Sequence, residues 1–67
     1  MKVTLYSTNC PKCNILKAKL NAKGVEFTEN NDINLMISKG FTSSPMLEVD
    51  ETIMNFTNAN KWINERN

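Results

Sequence analysis

Hydrophobic and polar positions along the chain divide it into short elements of two periods. "KVTLY", residues 2 to 6, alternates polar and apolar side chains and is β-rich, so it predicts a strand. "STN" then turns the chain into Cys10. Residues 11 to 23 are good helix formers, with Pro11 suited to the first helical position and Gly24 a C-terminal stop. At about 100° per residue, Cys13, Leu16 and Leu20 fall on one side of this helix, and Ile15, Ala18 and Ala22 form a second apolar strip. Lys12, Lys19 and Lys23 share a polar stripe, which reads as a solvated face running up to the cysteines, where it can steer acidic partners.

"VEFTE", residues 25 to 29, predicts a second strand. "NND" offers caps for a short helix over residues 32 to 39, with Ile33, Met36 and Ile37 on its apolar face and Gly40 at its end. "SSPMLEV" predicts a third strand starting near Pro45, and "DET" followed by "TIM" completes a hairpin. Thr57 is a cap for a last helix that turns Ala59, Trp62 and Ile63 inward. The element order is β-α-β-α-β-β-α. The first two strands, joined through a helix, should be parallel, and the last two antiparallel. The fold class is α/β, with no internal repeat and no linker, and residues 1–67 form one domain.

Composition narrows the function classes. The chain is 40% hydrophobic and 22% charged, with a net charge of +1, so nothing singles out nucleic acid or a membrane surface as partner. Charge is unevenly placed: up to Lys23 there are five lysines and no acid, while Glu48, Asp50 and Glu51 cluster on the hairpin, where they are expected to be solvated. "MKVTLYS" lacks the apolar core of a signal peptide, and no run approaches the ~18 apolar residues of a membrane span. The expected compartment is the cytoplasm, and the expected state a monomer.

In a reducing compartment a cysteine pair is more often catalytic or metal-binding than structural. Cys10 and Cys13 are the chain's two cysteines, and it has no histidine. A structural zinc site takes four Cys or His ligands, so the donor set disfavours zinc, and no metal site is expected. A disulfide across CxxC closes a very small loop and removes little unfolded-state entropy. A reactive pair has a specific basis. Cys10 precedes a helix, whose unpaired N–H groups and dipole favour a thiolate, and Lys12 adds a cation. Cys13, one turn on and on the inner face, is placed to resolve a mixed disulfide formed at Cys10.

"VTLYSTNCPKCNILKAKLNAKGVEFTE" resembles the glutaredoxins, small redox proteins of the thioredoxin fold, across the whole first βαβ unit. "SSPMLEV" resembles the segment in which that family carries a cis-proline before its third strand, with Pro45 as the match. The resemblance implies a thioredoxin/glutaredoxin-like domain with a four-stranded mixed sheet flanked by helices. It implies a dithiol–disulfide oxidoreductase acting on protein or small-molecule disulfides, without a tightly bound cofactor. Pro11, Lys12 and Tyr6 would border the substrate, although Tyr6 reads equally as a half-buried strand aromatic. Ser44, ahead of Pro45, would offer its backbone to an extended substrate.

The sequence departs from the family at three places. Lys12 stands where an aromatic residue is usual, Ser7 stands where many members have a glutathione-binding lysine, and "IMNFTNAN" lacks the family's glycines. The electron donor therefore stays open between glutathione and thioredoxin reductase. Some redoxins of the second kind serve ribonucleotide reductase. An iron–sulfur or metal carrier using Cys10 from two chains, with glutathione as external thiol, is the alternative from another class.

Overall fold

The computed structural model describes residues 2–8, 10–41 and 44–66. Its elements are β1 (Val3–Tyr6), α1 (Pro11–Ala22), β2 (Thr28–Asn30), α2 (Ile33–Ser38), β3 (Met46–Val49), β4 (Thr52–Met54) and α3 (Phe56–Asn64). The strands form one mixed sheet in the order β2-β1-β3-β4. β1 pairs parallel with β2 and antiparallel with β3, and β3 pairs antiparallel with β4. Asn9 of the predicted turn and Ser43 of the third predicted strand lie outside the described residues.

Register explains the core. Leu5 pairs with Leu47, which pairs with Met54, and Val3 pairs with Val49. Paired residues point to one face of a sheet. That face carries the main core, in which Val3, Leu5, Leu47 and Val49 meet Leu16 and Leu20 of α1 and Ala59 and Ile63 of α3. Full burial of a leucine contributes roughly 1.5–3 kcal/mol, so these contacts carry most of the fold's stability. Tyr6, next to Leu5, points to the opposite face. There its ring meets Phe41 edge-on, with centroids 5.1 Å apart, and Lys39 Nζ lies 5.8 Å from its centre. The end of α2 thus covers the second face, while α1 and α3 cover the first.

The chain's two glycines stop α1 and α2 by the same device. Gly24 and Gly40 have φ of 69° and 81°. Each is followed by a residue whose N–H returns into the helix: Val25 to the Leu20 carbonyl and Phe41 to the Met36 carbonyl, both at 3.0 Å. Gly24 and Gly40 themselves donate to Asn21 and Ile37 carbonyls, completing a Schellman motif at both ends.

Four predicted features differ in detail. The second strand is Thr28–Asn30 rather than 25 to 29, because Val25 is engaged at the helix stop and the chain reaches β1 only at the Thr4–Thr28 pair. Val25 and Phe27 pack instead on the edge of the core. The last helix is capped by Asn55 rather than Thr57: Asn55 Oδ1 accepts the Asn58 N–H at 2.9 Å, so the cap lies two residues earlier than expected. On α2 only Met36 is buried; Ile33 and Ile37 are 56% and 66% exposed, because six residues make too short a helix to bury a continuous face. The second apolar strip of α1 is also open, with Ile15 45% exposed.

The lysine stripe borders a helix–helix seam: Lys12 and Lys23 stay exposed, as a solvated face requires, while Lys19 is half-buried. Lys12 Nζ lies 5.3 Å from the centre of the Phe56 ring. Lys19 Nζ donates to Asn60 Oδ1 and, at 3.2 Å, to Asn64 Oδ1. Lys23 Nζ donates to the Arg66 carbonyl at 2.9 Å. Each lysine thus meets α3 or the residues just after it. Trp62 packs on the core, as expected, and the Arg66 guanidinium covers its ring at 3.9 Å. In the acidic hairpin, Glu48 and Asp50 are engaged too: Glu48 accepts from Tyr6, and Asp50 Oδ1 accepts the Lys2 N–H at 2.9 Å. Among the described residues, no helix is long and apolar enough to cross a membrane.

Candidate functional site: a cysteine pair at a helix start

After β1, the Ser7 N–H donates to the Asn30 carbonyl at 3.0 Å, which keeps the chain beside β2 until it turns into α1. Cys10 is the N-cap, with extended backbone angles (φ −77°, ψ 164°), and Pro11 is the first helical residue. Pro11 fits because its missing N–H has no partner to lose at that position. Cys10 supplies the cap that Ser, Thr or Asn usually provides: its Sγ accepts the Cys13 N–H at 3.2 Å. The first turn carries no acidic residue, so nothing offsets the positive end of the helix.

The two sulfurs differ in exposure. Cys10 is partly exposed, while Cys13 is 1% exposed, and both are free thiols. An incoming disulfide therefore meets Cys10 first, and Cys13 lies behind it within reach of its sulfur. Ser44 sits across from Cys10. The Ser44–Pro45 peptide is cis, Pro45 is fully buried, and Ser44 Oγ lies 4.0 Å from Cys10 Sγ. A hydrogen bond of 2.9 Å between the Ser44 and Thr8 hydroxyls ties the two loops together. The structure thus brings Cys10, Pro11, Cys13, Ser44 and Pro45 to one end of the sheet. Lys12 is at the same end but leans over Phe56. Tyr6 is on the other face, 5% exposed, with its hydroxyl donating to Glu48 Oε1 at 2.8 Å. The strand-aromatic reading describes Tyr6 better than the substrate-border reading.

Sequence reasoning missed a polar cluster beneath Cys13. Ser7, 1% exposed, donates through Oγ to Glu29 Oε2 at 3.2 Å. Glu29 Oε1 pairs with Lys17 Nζ at 2.9 Å. Asn31 Nδ2 donates to the Ser7 carbonyl at 2.9 Å and lies 3.4 Å from Ser7 Oγ and 3.5 Å from Glu29 Oε2. Helical spacing would have placed Lys17 one turn beyond Cys13, but only the β1–β2 register brings Glu29 beside Ser7. Burial on its own raises the Cys13 thiol. Hydrogen bonds from the Cys10 side chain, the Thr8 and Cys10 backbone and the Ser7 hydroxyl outweigh it and bring the thiol below its ordinary value. The Glu29 carboxyl is held below the carboxylate range chiefly by its hydrogen bond with Lys17, with further help from Asn31 and Ser7.

An open groove of about 810 Å³ lies elsewhere, between the start of β1 and the α1–β2 connection, lined by Val3, Asn21, Val25 and Phe27 among others. It is at the opposite end of β1 from the cysteines; Lys2 and Glu26 also line it, and neither cysteine does. Among the described residues, no three His, Cys, Asp or Glu side chains are grouped to hold a metal ion. No protein-family model matches the chain, and no curated protein matches it either, so the functional reading rests on the residues and their geometry.

Proposed function

We propose that this chain is a small dithiol–disulfide oxidoreductase of the thioredoxin/glutaredoxin-like fold, working in the cytoplasm. The observation that carries this reading is the placement of Cys10: a partly exposed sulfur capping a helix, with a buried second thiol one turn behind it. The cis Ser44–Pro45 peptide facing Cys10 supports it, as do the β-α-β-α-β-β-α order and mixed sheet.

Catalysis on this reading has two exchanges. The Cys10 thiolate attacks one sulfur of a substrate disulfide; a Cys10–substrate S–S bond forms, and the other substrate sulfur leaves with the bonding pair and takes up a proton. Cys13 then attacks Cys10 Sγ, the Cys10–Cys13 disulfide forms, and the second substrate thiol departs. Two electrons have passed to the substrate. Two thiols of glutathione, or thioredoxin reductase, return them to the pair. The exposure difference supports this order, since a buried Cys13 is less able to meet an external disulfide than Cys10.

Alkylation with a small thiol reagent, followed by peptide mapping, is the direct test. Cys10 should label first in the reduced protein, and Cys10→Ser should lose all turnover of a disulfide substrate. Cys13→Ser should accumulate a mixed disulfide at Cys10. Labelling of Cys13 ahead of Cys10, or turnover surviving in Cys10→Ser, refutes the assignment. Supplying the oxidised protein with glutathione and its reductase, and separately with thioredoxin reductase, identifies the donor.

A further inference from the structure

We infer that Ser7 is a positioning residue for the resolving thiol, its one hydroxyl proton shared between Glu29 Oε2 and Cys13 Sγ, with the Lys17–Glu29 pair setting the balance. The inference rests on the dithiol reading above and concerns its second exchange.

A serine hydroxyl donates a single hydrogen bond and accepts others. Ser7 is buried, and its oxygen has two partners that each want that proton when charged: the Glu29 carboxylate, at 3.2 Å, and the Cys13 sulfur. With Cys13 a thiol, its S–H turns to Ser7 Oγ and the Ser7 O–H points to Glu29. With Cys13 a thiolate, the Ser7 O–H turns to sulfur, and Glu29 keeps Lys17 at 2.9 Å and Asn31 at 3.5 Å. Lys17 and Asn31 thus lower the cost to Glu29 of releasing Ser7. A carboxylate stripped of them would hold the Ser7 proton harder and favour the thiol.

The charged and titratable groups placed to act on Cys13 are Cys10 at the helix start, Lys17 on the next turn and Glu29 from β2. Lys12 is drawn toward Phe56, and Tyr6 and Glu48 occupy the other face of the sheet. Glu29 is not the proton acceptor of the step. In resolution the Cys13 thiol and the Cys10 mixed disulfide become the Cys10–Cys13 disulfide and a free thiol; the Cys13 proton ends on the departing sulfur. Ser7 only sets how readily Cys13 gives it up.

The expected size is modest. Losing one hydrogen bond to a charged sulfur reduces the thiolate population about tenfold. The more basic thiolate recovers about threefold of that in nucleophilicity, so resolution slows about three- to fourfold.

Rapid mixing of the reduced protein with one equivalent of dithiobisnitrobenzoate separates the steps. The first release of coloured thiolate reports attack by Cys10, and the second, independent of protein concentration, reports resolution by Cys13. Ser7→Ala should slow the second phase about three- to fourfold near neutral pH. Lys17→Met, a change at a half-exposed side chain that leaves the core untouched, should also slow it. Glu29→Gln should speed it, because a neutral amide holds the Ser7 proton less tightly. The first phase should stay within twofold throughout. A loss of packing would slow all three variants alike. Slowing in Glu29→Gln, or no change in Ser7→Ala, overturns the inference. A wild-type protein that fails to release both equivalents overturns instead the dithiol reading beneath it.

Discussion

Replacing Leu16 by alanine tests how α1 holds the cysteine pair. Leu16 is fully buried one turn after Cys13, in the cluster with Leu5, Leu20, Leu47 and Ile63. Buried Leu→Ala changes cost about 2.7–5 kcal/mol, because the transfer energy is lost and a cavity remains. A chain of 67 residues at about 0.05–0.15 kcal/mol per residue holds only about 3–10 kcal/mol in total. The substitution therefore removes about a quarter or more of the stability, and at the low end of that range it unfolds the protein. Urea melts followed by circular dichroism and Trp62 fluorescence measure the loss directly. Cys13 supplies a second readout, since it reacts with an alkylating reagent only when the helix opens. In a Cys10→Ser background, where serine keeps the cap, a loss of about 2.7 kcal/mol should speed Cys13 alkylation about a hundredfold if opening is global. Ile15→Ala is the control on the exposed strip of the same helix, with an expected cost below about 1 kcal/mol. A Leu16→Ala loss below about 1 kcal/mol, or an equal loss in Ile15→Ala, would show that α1 does not dock by its Cys13–Leu16–Leu20 side.

Three further outcomes follow from other contacts. Asn55→Ala should cost about 1 kcal/mol in a denaturant melt by removing the α3 cap, whereas Thr57→Ala should change little. Because the Glu29 carboxyl is held below its ordinary value, its contribution to stability is full above the unfolded carboxylate range and is lost as pH falls through the folded value; Glu29→Gln should flatten the acid side of a melting-temperature profile below about pH 4.5. The Tyr6 phenol is raised by burial and by its hydrogen bond to Glu48, so ultraviolet titration should find it ionising above pH 10, its stabilisation holding below the unfolded value and disappearing as pH rises through the folded one; Tyr6→Phe should cost about 1 kcal/mol.

Local signals made much of the fold legible. Pro11 and Gly24 mark the ends of α1 because each suits a backbone geometry that few other residues adopt as readily. The burial of Cys13, Leu16 and Leu20 follows from helical spacing alone. What escaped the sequence was decided by contacts between distant segments. Asn55 and Thr57 are both capping residues, and the end of the β3–β4 pairing at Met54 selects the first. Lys12 and Lys23 are exposed, as their helical stripe predicts, but the partners of Lys12, Lys19 and Lys23 emerge only when α3 is laid against α1. In the same way, the cysteine pair was readable from its motif, but its polar support was not. Ser7 and Glu29 lie 22 positions apart, and only the parallel register of β1 and β2 makes them neighbours.

The seam between α1 and α3 has a consequence for where acid is felt. Its cations, Lys19 and Lys23, are received by asparagine oxygens and a backbone carbonyl, none of which takes up a proton at moderately low pH. Midway along α1, Lys17 is received by a carboxylate of β2, which does. Acidification therefore leaves the α1–α3 seam clamped and loosens the tie between α1 and β2. The scaffold can stay docked while the polar support beneath Cys13 is lost.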